Sequence, residues 1–98
     1  MENKHLKYSP ITKEKDLDGL IEEIGDARVV MLGEASHGTS EYYTWRTAIS
    51  RRLIEDKGFS FIAVEGDWPE CYAVNRFVKG YPKSGRTISE VLGVYRRW

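Results

Sequence analysis

A short polar loop follows an apolar run in the first half of the chain, and its residue types are those of acid–base or metal-binding chemistry. Residues 29–39 read VVMLGEASHGT, so Glu34, Ser36 and His37 fall within four positions. A hydrophobic core does not hold such groups unless they are paired. Because His can change its charge near neutral pH and carboxylates modulate it, the loop is a candidate functional site.

A second carboxylate is expected to reach the same place. The apolar runs at about 28–32 and 59–64 are typical of buried strands, and Glu65 ends the second run as Glu34 follows the first. Neighbouring strands lie ~4.8 Å apart, and ligand crevices open at the carboxyl ends of parallel strands. We therefore expect Glu34, Glu65 and His37 to converge at one sheet edge.

A helix between these two strands adds a cation. Residues 40–57 place apolar side chains on one stripe, which also contains Arg46. The apolar members of that stripe are Tyr42, Trp45, Ile49 and Leu53. A guanidinium on a core-facing stripe is costly unless it is paired, so we expect Arg46 to contact a carboxylate at the strand ends.

The order of elements predicts an α/β fold: a parallel βαβ core with flanking helices and a right-handed crossover. Helices are predicted at about 16–24, 40–57, 67–79 and 87–92. Asp67 and Glu70 have the spacing of a capping box. Two strands make a very small sheet, so we expect the fold to be incomplete. Residues 1–98 then form the N-terminal portion of a larger mixed α/β enzyme.

Composition narrows the class of protein. The 98 residues carry 15 Lys and Arg against 15 Asp and Glu, so the net charge is zero. A general nucleic-acid binder is normally basic, and no apolar run approaches the ~20 residues of a membrane span. A signal peptide is not recognisable, and Cys71 is the only cysteine, which excludes an internal disulfide. We expect a cytoplasmic protein without nucleic-acid or membrane partners.

Several alternatives remain for the polar loop. Ser36 does not lie in the G-x-S-x-G motif of a serine nucleophile, and Gly33 to Gly38 lack the motifs of phosphate-binding loops. Glu34, His37 and Glu65 could form a metal site. A small non-catalytic domain whose polar cluster is structural is a third reading. Trp68, expected beside the crevice, is the best candidate to line it.

Two stretches, GEASHGTSEYYTWR and FIAVEGDWP, closely resemble the erythromycin esterase family. The resemblance extends from about residue 28 to the end of the chain. It implies hydrolysis of a macrolide lactone or related small-molecule ester by a His-activated water, without a covalent enzyme intermediate, cofactor or metal. Such an activity would contribute to antibiotic resistance.

Carried onto this sequence, the resemblance makes His37 the general base, with Glu34 and Glu65 as the carboxylates that orient it and the water. Arg46 is then a pocket cation, which either stabilises the tetrahedral intermediate or fixes a glutamate. Ser36 and Trp68 are expected to contact the substrate. The family also uses His and Glu residues from a later part of the protein, so the 98 residues alone are expected to be inactive.

Overall fold

A computed structural model of the chain describes residues 8–85 and 87–93. The regular secondary structure of these residues is helical. The described residues contain a short 3-10 helix and four α-helices: Glu14–Leu17, then α1 Asp18–Ile24, α2 Ser40–Lys57, α3 Trp68–Val78 and α4 Ile88–Leu92. The chain forms two compact units, Met1–Phe61 and Ile62–Trp98. The predicted bounds of α2 are confirmed, and the other predicted helices are found with bounds shifted by one or a few residues.

The end of α2 is set by a glycine, as the sequence indicates. Gly58 adopts the left-handed conformation with φ +73°, which a residue without a Cβ reaches at little cost. In this conformation the backbone N–H groups of Gly58 and Phe59 both donate to the carbonyl oxygen of Leu53, the latter at 3.2 Å. The last turn of α2 is thereby closed.

In the first unit, α1 is tied to the C-terminal half of α2. The side chains that are buried there are Leu17, Ile21 and Leu53. Arg52 donates from Nη1 to Asp18 Oδ1 at 2.9 Å, and Lys57 donates from Nζ to the carbonyl oxygen of Gly25 at 3.1 Å. Apolar burial and these two polar contacts together fix the helix that carries Arg46.

In the second unit, α3 contacts α4. Thr87 caps α4 by accepting from the Glu90 backbone N–H at 3.2 Å, and the Glu90 carboxylate accepts from the Thr87 N–H at 3.4 Å. Val91 is the buried apolar residue of α4. The capping box predicted at α3 is wrong, because Asp67 stands at the N-cap but makes no side-chain capping hydrogen bond among the described residues.

The prediction of an α/β fold with a parallel βαβ core is wrong for the structure as described. Residues 28–32 and 59–64 are not strands, and no sheet occurs within 8–85 and 87–93. Most of their residues are exposed and none is buried: Met31 is 91% and Phe61 80% accessible. A strand exists only through hydrogen bonds to a neighbour, and apolar strands of this kind also need helices on both faces. Among the described residues, these two segments have neither a neighbouring strand to bond to nor helices that cover both of their faces.

None of the helices in the part of the chain that the structure describes is both long enough and apolar enough to cross a membrane.

Candidate functional site

The polar loop and the first turns of α2 form a compact polar cluster in the first unit. The loop leaves the extended segment at Gly33, turns at Ser36 to Gly38, and enters α2 through Thr39, its N-cap residue. Gly38 has φ +79°, a conformation that favours glycine and lets the chain reverse into the helix. This local turn sets Glu34 opposite residues of the first two turns of α2.

The carboxylate of Glu34 bridges the imidazole and the guanidinium. Its Oε1 contacts Nδ1 of His37, and its Oε2 accepts from Nη2 of Arg46 at 3.1 Å. The same Nη2 lies 3.4 Å from the carbonyl oxygen of Gly33, so Arg46 holds both the backbone and the side chain of the loop. The predicted contact between Arg46 and a carboxylate is confirmed.

Exposure differs strongly among the three groups. The side chain of Glu34 is 17% and that of Arg46 33% accessible, whereas His37 is 76% accessible. The carboxylate is therefore fixed inside the cluster while the imidazole faces solvent. A His whose Nδ1 donates to a fixed carboxylate has Nε2 as its proton acceptor, which is the arrangement of a general base.

The electrostatics of the cluster favour an ionised Glu34. Partial desolvation acts to raise the pKa of Glu34. Hydrogen bonds from His37 and Tyr43, together with the positive charges of His37 and Arg46, outweigh it and hold the pKa below its ordinary value of 4.5. At neutral pH the carboxylate is therefore charged and able to stabilise an imidazolium at His37.

Tyr43 is a member of the cluster that the sequence analysis did not identify. Its hydroxyl accepts from the backbone N–H of Gly38 at 3.3 Å, and hydrogen bonding from Tyr43 contributes to lowering the pKa of Glu34. The guanidinium carbon of Arg46 lies 5.4 Å from the centre of the Tyr43 ring, within the range of a cation–π contact. Residues three apart share a helix face, and that spacing from Arg46 is the signal that could have identified Tyr43.

Ser36 contacts the helix cap. Its Oγ lies 2.7 Å from Oγ1 of Thr39, so the two hydroxyls close the loop over three residues. This contact is structural in character, and a role for Ser36 in binding substrate stays a prediction.

Glu65 and Trp68 belong to the second unit. Glu65 is exposed in the segment before α3, and Trp68 is the first residue of α3 with 70% of its surface accessible. The Trp68 ring lies 4.7 Å from that of Tyr72, centre to centre, with the planes tilted by 43°. The expected meeting of Glu65 with the cluster around Glu34 stays a prediction.

The described residues do not form a metal site. Among them, no three His, Cys, Asp or Glu side chains are grouped so that they could hold a metal ion. The sequence-based alternative of a site built from Glu34, His37 and Glu65 has no support from this part of the chain.

Comparisons with known proteins agree with the resemblance carried by the two motifs. The sequence model of the erythromycin esterase family matches residues 54–98. A curated relative, erythromycin esterase type II of Escherichia coli, is 35% identical over 83 residues, which cover 82% of this chain and 20% of the relative. This chain thus spans about a fifth of the length of that relative. No solved structure is significantly similar to this chain.

The two matches complement each other along the sequence. The family match begins within α2 and includes Glu65 and Trp68. The match to the E. coli protein covers 82% of 98 residues and so leaves at most about 18 unmatched at the ends, which means that it includes positions 34, 37 and 46. The chain belongs to the erythromycin esterase family.

Proposed function

We propose that this chain carries the general-base half of an ester hydrolase active site, and that the protein hydrolyses a lactone or related ester. The observation that supports this most directly is the bridging carboxylate of Glu34, held by Arg46 on one side and contacting Nδ1 of His37 on the other. A macrolide lactone is the first substrate to test, because the curated relative is named an erythromycin esterase.

In the proposed reaction, Nε2 of His37 takes a proton from a water molecule while the water oxygen attacks the ester carbonyl carbon. Glu34 stabilises the imidazolium that forms and keeps Nδ1 as the protonated nitrogen. The tetrahedral intermediate then collapses to the acid. The alkoxide leaves with the proton returned from Nε2, so no covalent enzyme intermediate forms. Glu65 is proposed to orient the attacking water as the second carboxylate.

Arg46 has a defined task in this scheme. It already donates to Glu34 and lies against the Gly33 carbonyl, so its role is to fix the carboxylate and keep it ionised. Its Nε atom is buried and has no hydrogen-bond partner among the described residues. Because Arg46 donates to the Glu34 carboxylate and to the Gly33 carbonyl oxygen, it is assigned to holding the base assembly rather than to the intermediate.

The test is hydrolysis of erythromycin and of simple ester substrates by the natural gene product that contains this sequence. Replacing His37 by Ala should lower kcat by roughly 10²- to 10⁴-fold, the usual contribution of a general base, while far-ultraviolet circular dichroism stays unchanged. His5→Ala is the matched control, because His5 is the other histidine of the sequence and has no role in the proposal. Near-normal turnover in the folded His37→Ala protein would refute the proposed function.

Treatment with a chelator distinguishes the proposed mechanism from the metal-dependent alternative. Water activation by His37 predicts that activity survives extended treatment with a chelator and that elemental analysis finds no stoichiometric metal. Loss of activity on chelation, restored by a divalent cation, would replace the proposed mechanism with a metal-assisted one.

A further inference from the structure

The loop that carries His37 is held from α2 by the phenol of Tyr43 as well as by Arg46. Tyr43 lies in the first turns of α2, and its hydroxyl reaches back to the loop at Gly38. A phenolic hydroxyl is able to donate one hydrogen bond and accept others. Here it accepts from the Gly38 N–H at 3.3 Å, and hydrogen bonding from Tyr43 also contributes to lowering the pKa of Glu34 at the other end of this loop.

The ring of Tyr43 has a second contact that fixes its direction. Arg46 is one turn further along α2, and its guanidinium lies over the Tyr43 ring at 5.4 Å while donating to Glu34 at 3.1 Å. Tyr43 and Arg46 therefore approach the same carboxylate from adjacent positions of one helix face. The Glu34 carboxylate cannot move away from this position without breaking its hydrogen bond to Arg46.

We propose that Tyr43 is a positioning residue for the His37 base. Its hydroxyl closes the loop 34–38 onto α2 and so sets the distance and orientation between the Glu34 carboxylate and the imidazole. This inference rests on the proposed function, since positioning matters for turnover only if His37 is the base. Tyr43 acts through Glu34 and Gly38, and no contact with the substrate is required.

The neighbouring residue provides a matched control. Tyr42 is also a tyrosine in the first turn of α2 and is similarly exposed, at 41% for each of the two residues. Among the described residues its hydroxyl makes no hydrogen bond, whereas that of Tyr43 accepts from the Gly38 N–H. Tyr43→Phe and Tyr42→Phe thus remove the same atom from adjacent positions, but only Tyr43→Phe removes a hydrogen bond to the loop.

The first readout does not depend on activity. In protein labelled with 13C at the Glu carboxyl carbons, Tyr43→Phe should raise the pKa of Glu34 towards 4.5, because one hydrogen bond to the charged form is removed. The amide proton of Gly38 should exchange faster with solvent in the same variant. Tyr42→Phe should change neither quantity. An unchanged Glu34 pKa and unchanged Gly38 exchange in Tyr43→Phe would overturn the inference whatever the activity.

The second readout is the division of the effect between kcat and KM. Because the Tyr43 hydroxyl bonds to the loop that carries the base, its removal should lower kcat roughly tenfold, the upper end for one ordinary hydrogen bond. KM should stay within about twofold, and Tyr42→Phe should behave like the unaltered protein. A rise in KM with normal kcat would refute a positioning role and point to substrate binding instead.

The results for the His37 and Tyr43 variants distinguish failure of this inference from failure of the proposed function. If His37→Ala is fully active while Tyr43→Phe shifts the Glu34 pKa, the proposed function fails and the contact of Tyr43 with the loop stands. If Tyr43→Phe does not fold, the unaltered protein provides the check. Nuclear Overhauser contacts between the Tyr43 ring and the Gly38 amide proton are then required, and their absence would refute the inference.

Discussion

Replacing Glu34 by Gln tests the bridging carboxylate with almost no change in shape. Arg46 can only donate hydrogen bonds, so the oxygen of the new amide must face its Nη2, which lies 3.1 Å from Oε2 of Glu34. The amide NH2 is then directed at Nδ1 of His37 and donates to it. Nδ1 becomes an acceptor, the proton of the neutral imidazole moves to Nε2, and Nε2 loses its ability to accept a proton from water.

The expected magnitude follows from this change of tautomer. Since the base is disabled and its compensating charge is removed, the loss in kcat should approach that of His37→Ala, roughly 10²- to 10⁴-fold. The assay is the pH dependence of kcat and kcat/KM for ester hydrolysis, combined with 15N NMR of the His37 ring to identify the protonated nitrogen. Nδ1 should carry the proton in the unaltered protein and Nε2 in Glu34→Gln.

Glu41→Gln provides the control, because Glu41 is an exposed glutamate in the first turn of α2 and its replacement makes the same change in net charge. Its activity should stay within about twofold of normal. The reasoning would be refuted if Glu34→Gln kept more than about a tenth of the normal kcat. A proton that remained on Nδ1 of His37 in that variant would refute it equally.

Two further predictions concern stability. Gly58→Ala should destabilise the protein by about 1–2 kcal/mol in urea unfolding followed by circular dichroism, because Ala is strained at φ +73°. The added Cβ meets no other atom within 4 Å, so the cost comes from the backbone conformation and not from a clash. Gly19→Ala, in α1 with equally open space, should instead stabilise it by about 0.5–1 kcal/mol, and equal effects of the two changes would contradict this. Hydrogen bonds from the Thr12 N–H, the Thr12 hydroxyl and the Lys13 N–H lower the pKa of Asp16 below 3.8, so its contribution to stability is present above that pH and is lost as the pH falls through the folded-state pKa. Asp16→Asn should flatten the acid side of the stability curve, and an unchanged curve would show that this carboxylate is not linked to folding.

The helices could be predicted from the sequence because their signals are local. Gly58 ends α2 through its own backbone conformation, and the 3.6-residue periodicity of the stripe containing Arg46 lies within the helix itself. The strands could not be predicted correctly, because the apolar runs around Met31 and Phe61 indicate only a tendency to be buried. Whether such a run becomes a strand depends on hydrogen bonds to a distant neighbour, which its own composition does not specify.

The candidate site was predictable in part for the same reason. The pairing of Glu34 with Arg46 follows from the cost of leaving a guanidinium unpaired on a core-facing stripe, and the structure confirms the contact. Tyr43 was not identified, because the sequence around a tyrosine near the start of an amphipathic helix does not show whether its hydroxyl makes a hydrogen bond. The approach of Glu65 to this cluster depends on contacts between distant segments and stays a prediction.

The cluster around Glu34 is local in the chain, since its two ends, Gly33 and Arg46, are only 13 positions apart and one helix supports it. Closing so short a loop costs little chain entropy, so the arrangement is able to assemble without waiting for distant parts of the polypeptide. During synthesis on the ribosome, the histidine and its carboxylate would then be brought together soon after α2 emerges. Such a self-contained segment is also well suited to transplantation as a cassette into another helical scaffold.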